Sequence, residues 1–287
     1  MGEVKPDWIK VNLSPTDREG LDVLARILDG RRLHTVCQSA RCPNLPQCWG
    51  ERTATFLLLG DVCTRSCGFC AVATGWPGGA LDTGEPQRVA EAARALGLRY
   101  VVMTSVDRDD LPDGGTTQFA GAVEAVHRLL PGAGVEVLIP DYETEQLERL
   151  LDAGPSVVGH NLETVARLTP QVRDPRASYA RSLEVLTEIK RLAPDQVTKS
   201  SLLLGMGEEL WEVEEALEDL RDAAVDIVML GQYLRPSPVQ IPVARYIPPE
   251  EFSSLGERAR SMGFRGVIAA PLARTSYRAA SMYEELQ

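Results

Sequence analysis

Nothing in the 287-residue sequence approaches the roughly 20 consecutive apolar residues that span a bilayer, so a transmembrane helix is not expected. The opening, MGEVKPDWIKVNLSP, lacks an apolar signal-peptide core, and Pro6 stands where a myristoylation signal requires Ser or Thr. A cytoplasmic protein with no membrane partner is the expectation. There is also no Lys/Arg run or basic amphipathic stretch to offset a formal charge of −11. The counterion-release attraction behind nucleic-acid binding is therefore missing, and no nucleic-acid partner is expected. Internal repeats and low-complexity tracts are absent as well. What remains is a chain 44% hydrophobic and 25% charged, enough for one large domain or two ordinary ones with a sizeable core, which excludes general disorder.

Cysteine is missing from 253 of the residues; all six lie at 37, 42, 48, 63, 67 and 70, inside a window of 34. Disulfides are disfavoured, because a chain of this size needs no staples and the cytoplasm keeps thiols reduced. The cysteines fall into two triplets, Cys37-x4-Cys42-x5-Cys48 and Cys63-x3-Cys67-x2-Cys70. Structural zinc takes four ligands, usually in short C-x2–4-C pairs, and Cys67–Cys70 alone has that form. Three thiolates suit a [4Fe–4S] cubane better, holding three irons and leaving the fourth open to another ligand. Ligand number and spacing favour two [4Fe–4S] clusters, with a zinc module as the alternative metal reading.

Short apolar runs bounded by turn residues mark strand candidates at 54–59, 99–104, 134–139, 156–159, 197–203 and 226–230. Helical spacing lies between them. Phe119, Val123, Val126 and Leu130 carry it over 116–130, and Leu210, Val213, Leu217 and Leu220 over 208–223. Six βα units imply a parallel sheet covered by helices, two units short of a closed eight-stranded barrel. The expected fold is α/β, a partial (β/α)6 TIM-like barrel open on one side. Residues 1–52 form an N-terminal extension, 53–268 the barrel, and 269–287 a tail returning to the site, with Trp76–Pro86 a loop after the second triplet. Catalytic groups of parallel barrels gather where strands end. Cys63 to Cys70, Thr104, Ser105 and Asp107, then Asp141, then His160, Asn161 and Glu163, and finally Gln232 to Arg235 follow successive strand candidates, while Lys199 sits within the fifth. Helix capping and turn formation would account for many of these residue types equally well.

The segment Cys63-Thr64-Arg65-Ser66-Cys67-Gly68-Phe69-Cys70 resembles the C-x3-C-x2-C signature of radical S-adenosylmethionine (SAM) enzymes, including the aromatic residue before the last cysteine. HTVCQSARCPNLPQCW (34–49) resembles the narrower C-x4-C-x5-C auxiliary-cluster motif of the lipoyl synthase family. TATFLLLGDVCTRSCGFCAV (53–72), VMTSVDRDDLPDGG (102–115), GHNLETV (159–165), TKSSLLLGMGE (198–208) and GQYLRPS (231–237) extend the likeness from about Thr35 to Tyr277.

The resemblance implies that the barrel is of the radical SAM type and that the open iron beside Cys63, Cys67 and Cys70 chelates the methionine end of SAM. An electron from that cluster then cleaves SAM to methionine and a 5′-deoxyadenosyl radical, and the protein orients the radical. Thr104 and Ser105 would meet the methionyl end of SAM, and Asn161, Glu163 and Lys199 its ribose and carboxylate. In this family a serine of an Arg-Ser-Ser-Tyr motif completes the auxiliary cluster, which is consumed as the sulfur source. Here the motif reads Arg274-Thr275-Ser276-Tyr277, so Ser276 is the implied ligand and catalytic residue beside Cys37, Cys42 and Cys48. A hard alkoxide on iron otherwise held by soft sulfur is the ligand most easily released.

The implied reaction inserts sulfur at C6 and C8 of an octanoyl chain amide-linked to a lysine of a lipoyl carrier domain, spending two SAM molecules. A donor such as ferredoxin or flavodoxin would supply electrons, and Arg235 and Arg274 are candidates to meet the carrier's acidic groups. Departures from the family pattern are Gln47 for Glu, Arg52 for Gly, Gln240 for His, Ala269–Ala270 for Ser-Gly, and Thr275 for Ser. Arg52 and Ala270 stand out, because glycine often marks close backbone approach or positive φ. A divergent sulfur-inserting paralogue acting on another acyl chain and a two-cluster electron carrier are the alternative functions.

Overall fold

The computed structural model describes residues 5–10, 22, 24–50 and 54–286. Among them the strands are β1 (His34–Thr35), β2 (Thr55–Leu58), β3 (Val62–Cys63), β4 (Ala73–Thr74), β5 (Tyr100–Ser105), β6 (Gly134–Leu138), β7 (Val157–Gly159), β8 (Val197–Leu204), β9 (Ile227–Gln232) and β10 (Gly266–Ala269). Strands β1-β2-β5-β6 neighbour one another in that order, as do β8-β9-β10, with β3 and β4 paired apart from both. All six strand candidates form. The chain divides into two compact units. One gathers Cys67–Cys70 and Gly159–Gln287 with the described residues before Asn12; the other gathers Ala71–Val158 with the described residues between Leu13 and Ser66.

In the second of these units, β2 reads TFLL and is buried along its whole length, as a parallel strand covered on both faces must be. It pairs parallel with β5, Thr55 opposite Val102 and Leu58 opposite Ser105, and β5 pairs parallel with β6. His34 and Thr35 add an antiparallel edge against Leu57 and Phe56. Helix Glu85–Leu96 carries Pro86 in its first turn, where no N–H is needed, and stops at Gly97, whose φ of 67° closes the C-terminus. Glu85 and Pro86, expected at the end of a loop, thus already belong to the helix. The buried Glu85 carboxylate accepts from the Leu59 N–H and from Gln118 Nε2, each at 2.8 Å, tying two helices to the end of β2.

In the other unit, β8, β9 and β10 are parallel, with Lys199 opposite Ile227, Leu204 opposite Gln232, and Gly266 also opposite Ile227. Leu186, Leu202, Leu217, Leu230 and Phe252 form the centre of its core. Helix Leu210–Asp222 opens with a capping box between Glu209 and Glu212, and Tyr179–Leu192 is capped by Ser178, which accepts from the Arg181 N–H at 3.0 Å. Strand β10 goes beyond the six expected. Its four residues, GVIA, are too short a run for alternation to announce them. No helix among the described residues is long and apolar enough to cross a membrane.

Candidate functional site

Cys63 ends β3, opposite Thr74, and its carbonyl accepts from the Gly75 N–H at 2.9 Å. Its sulfur accepts from the backbone N–H groups of Arg65 at 3.4 Å and Asp107 at 3.3 Å. Thr64 stitches the same turn to the loop after β5: its N–H donates to the Asp107 carbonyl, its hydroxyl to Asp109, and it accepts from the Asp109 N–H. Arg65 pairs with Asp107 at 3.3 Å, Asp109 at 3.2 Å, and Asp141. Burial alone would weaken this guanidinium's hold on its proton, but the three carboxylates outweigh it and raise the pKa further. Asp107 and Asp141, noted at strand ends, therefore meet on a residue that sequence reasoning passed over. Thr104 donates to the Leu138 carbonyl at 3.1 Å across the sheet. The Ser105 hydroxyl is buried with no hydrogen-bond partner, which suits a polar ligand at the end of β5.

In the unit that holds Cys67–Cys70, Cys67 sulfur accepts from the Asp174 N–H at 3.4 Å. The Gly68 N–H donates to the Val172 carbonyl at 2.8 Å and its carbonyl accepts from Ile241 at 3.0 Å. A Cβ on Gly68 would stand 3.1 Å from Ile241 Cγ2, so glycine allows the close approach. After β7, buried Asn161 donates to Glu163 at 2.9 Å and to the Thr275 hydroxyl at 3.1 Å, and its own carbonyl oxygen is left buried without a partner. Glu163 adopts a left-handed φ of 68°, and burial raises its pKa despite the Asn161 hydrogen bond. Lys199 is fully buried on β8, where its carbonyl accepts from the His160 N–H at 2.9 Å.

Of the first triplet, Cys37 and Cys48 lie on two short helices and Cys42 in the turn between them. Thr35 caps Val36–Ser39 by accepting from the Gln38 N–H at 3.3 Å; the Cys42 N–H returns to the Cys37 carbonyl at 2.9 Å; Cys48 sits in Leu45–Gly50. Burial pushes the Cys37 thiol up to about 11, opposed by hydrogen bonds from Thr55 and, more weakly, by the Trp49 indole. That indole N–H is buried and reaches no partner at ordinary hydrogen-bond geometry.

The tail turn carries Ser276. Strand β9 receives this turn: the Gln232 N–H donates to the Pro271 carbonyl at 3.1 Å, and a Cβ on Gly231 would fall 2.2 Å from the Ala273 carbonyl oxygen. Thr275 is anchored by Asn161 and lies 3.2 Å from the Ser201 hydroxyl, whereas Ser276 is half-buried with no side-chain hydrogen bond among the described residues. Ala270 does not have positive φ, so alanine is accommodated without backbone strain, and its N–H donates to the Leu230 carbonyl at 3.1 Å. Arg52 lies outside the described residues.

None of the six cysteines forms a disulfide. Among the described residues no group of three or more His, Cys, Asp or Glu side chains is spaced to hold a metal ion. The donor set nevertheless fits iron–sulfur clusters: backbone N–H groups aimed at Cys63 and Cys67 sulfur stabilise thiolates, and the buried Trp49 indole N–H beside Cys37 suits a sulfur acceptor.

The model of the radical SAM superfamily matches residues 57–220. A lipoyl synthase of Methanocella arvoryzae is 55% identical over 281 residues, covering 97% of this chain and 94% of that one. The chain belongs to the lipoyl synthase family. Another member, from Thermus thermophilus, is 53% identical over 98% of this chain and 87% of its own. The FeFe-hydrogenase maturase HydG from Carboxydothermus hydrogenoformans shares the fold, with a TM-score of 0.59 at 15% identity, covering 94% of this chain and 69% of that one. Membership of the lipoyl synthase family makes this chain an enzyme, a radical SAM sulfurtransferase that inserts two sulfur atoms at C6 and C8 of a carrier-bound octanoyl chain. Its cofactors are SAM and two [4Fe–4S] clusters, the auxiliary one supplying the sulfur.

Proposed function

We propose that Cys63, Cys67 and Cys70 hold the cluster that binds SAM, and that Cys37, Cys42, Cys48 and Ser276 hold the auxiliary cluster. The observation that carries this reading is the set of backbone N–H donors from Arg65, Asp107 and Asp174 directed at the sulfurs of Cys63 and Cys67. When bound, the first cluster supplies the electron for SAM cleavage and the second supplies sulfur. The chain's own residues bind and orient. Thr104, Ser105, Asn161, Glu163 and Lys199 are the residues assigned to SAM; within their own units, the Ser105 hydroxyl and the Asn161 carbonyl oxygen are buried without a hydrogen-bond partner, as a polar ligand would require. Thr275 anchors the tail turn while Ser276 stays free to ligate and release.

In this reading residues 1–52 carry the auxiliary cysteines, 53–268 the radical SAM core and 269–287 the serine ligand. The enzyme works in the cytoplasm, accepts electrons from a donor such as ferredoxin or flavodoxin, and takes its octanoyl group on a lysine of a lipoyl carrier domain. The test is incubation of the reconstituted chain with SAM, reductant and an octanoylated carrier peptide, followed by weighing the peptide. Cys67→Ala must lose both 5′-deoxyadenosine and thiolated product, whereas Cys37→Ala must keep the former and lose the latter.

A further inference from the structure

We propose that Gln240 is a positioning residue for the Cys67–Cys70 turn, fixing the main chain of Cys70 through an oriented side-chain amide. The inference rests on Cys63, Cys67 and Cys70 being cluster ligands. Gln240 Nε2 donates to the Cys70 carbonyl at 3.1 Å. The orientation of that amide follows from its neighbours. Ser237 Oγ accepts from the Val239 N–H at 3.3 Å and donates to Gln240 Oε1 at 2.7 Å, so the oxygen end of the amide is taken and the nitrogen end faces Cys70. The segment is itself braced: Arg235 Nε donates to the Gln240 carbonyl at 2.7 Å, and the Tyr233 hydroxyl to the Ile241 carbonyl at 2.8 Å. The Arg235 guanidinium also donates to the Pro238 carbonyl within the same loop and stays exposed.

Cys67 and Cys70 must present two thiolates to one centre, and a short turn does so reproducibly when its backbone has no slack. Asp174 and Val172 hold the Cys67 end, Ile241 the middle, and Gln240 the Cys70 end. Of these contacts, that of Gln240 alone comes from a side chain, so it is the one that a substitution can remove.

The experiment uses the full chain, reconstituted anaerobically, with iron loss to an excess of chelator as the readout and the electron paramagnetic resonance spectrum of the reduced protein beside it. Gln240→Glu keeps size and the acceptor toward Ser237 but turns a second acceptor toward the Cys70 carbonyl. Its faster iron-loss phase should accelerate about fivefold, as expected for losing one hydrogen bond. The reduced-cluster spectrum should shift, while the melting temperature of the metal-free chain falls by no more than about 2–4 °C, the cost of one hydrogen bond. Gln240→Met and Ser237→Ala should give smaller changes in the same direction and serve if the glutamate variant does not fold. Cys70→Ala separates the layers. Should it retain all the iron, the ligand assignment fails and the role of Gln240 with it. Should it lose one cluster while the Gln240 variants match the unmodified protein in iron loss and spectrum, the positioning role alone is overturned. A lowered metal-free melting temperature with an unchanged spectrum would also overturn it.

Discussion

The hydroxyl of Thr275 accepts a hydrogen bond from Asn161 Nδ2 at 3.1 Å and lies 3.2 Å from the hydroxyl of Ser201. Two adjacent hydroxyls in the tail therefore differ in kind: one is committed to the strands beneath it, and its neighbour Ser276 is not. Ser276→Ala should lower lipoyl product per SAM cleaved by about tenfold or more, a loss typical of disturbing a metal's ligands. Thr275→Val should instead cost about 1 kcal/mol of stability and reduce coupling only mildly, through a looser turn. Product and 5′-deoxyadenosine measured together in both variants check this; normal coupling in Ser276→Ala would remove it from the ligand set.

Cluster stoichiometry follows from the two triplets. The reconstituted chain should hold about eight irons, and any of the Cys37, Cys42 or Cys48 alanine variants about four. Iron and acid-labile sulfide assays read this directly.

Cys37 should titrate apart from an ordinary cysteine. Its pKa, pushed up to about 11, lies above the unperturbed value, so in the metal-free chain it carries its proton throughout the neutral range. At pH 7.5 it should be alkylated by iodoacetamide more slowly than an exposed thiol, and the rate should climb as pH approaches 11. Peptide mass spectrometry locates the label. Because ligation needs the thiolate, cluster loading should release this proton and speed up with pH.

Asp110 provides the acid response. Arg108 grips both its oxygens, at 2.7 and 2.8 Å, and the Gly79 N–H adds a third bond, holding the carboxyl at about 2. A depressed carboxylate stabilises the fold above its unfolded pKa of roughly 4, and this stabilisation is lost as pH falls through about 2. Asp110→Asn should therefore lower the urea midpoint at pH 6, by an amount corresponding to about 3 kcal/mol for a broken buried pair. The gap to the unmodified chain should narrow between pH 4 and pH 2. A gap independent of pH would contradict the account.

Much of the architecture was legible beforehand because parallel strands buried on both faces read as short apolar runs, and each of 54–59, 99–104, 134–139, 156–159, 197–203 and 226–230 holds a strand. The cysteine spacing, similarly, is a local pattern that survives in one dimension. Asp174, which meets Cys67 from 107 residues away through a backbone N–H, carries no such mark, because any residue type offers that donor. Gln240 was visible as a departure from histidine, but its partner, 170 residues distant, was not. Arg65 carries no mark in a chain where arginine abounds, and its three carboxylates converge only once the ends of β5 and β6 lie side by side.

The tail turn is located by strand β9, through the bare backbone of Gly231 under the Ala273 carbonyl and the Gln232 N–H on Pro271. Its address is thus written on the receiving strand, leaving the turn itself portable. A tail transplanted from a relative should seat correctly wherever the host keeps glycine at 231, and a methyl group there would evict even the native one.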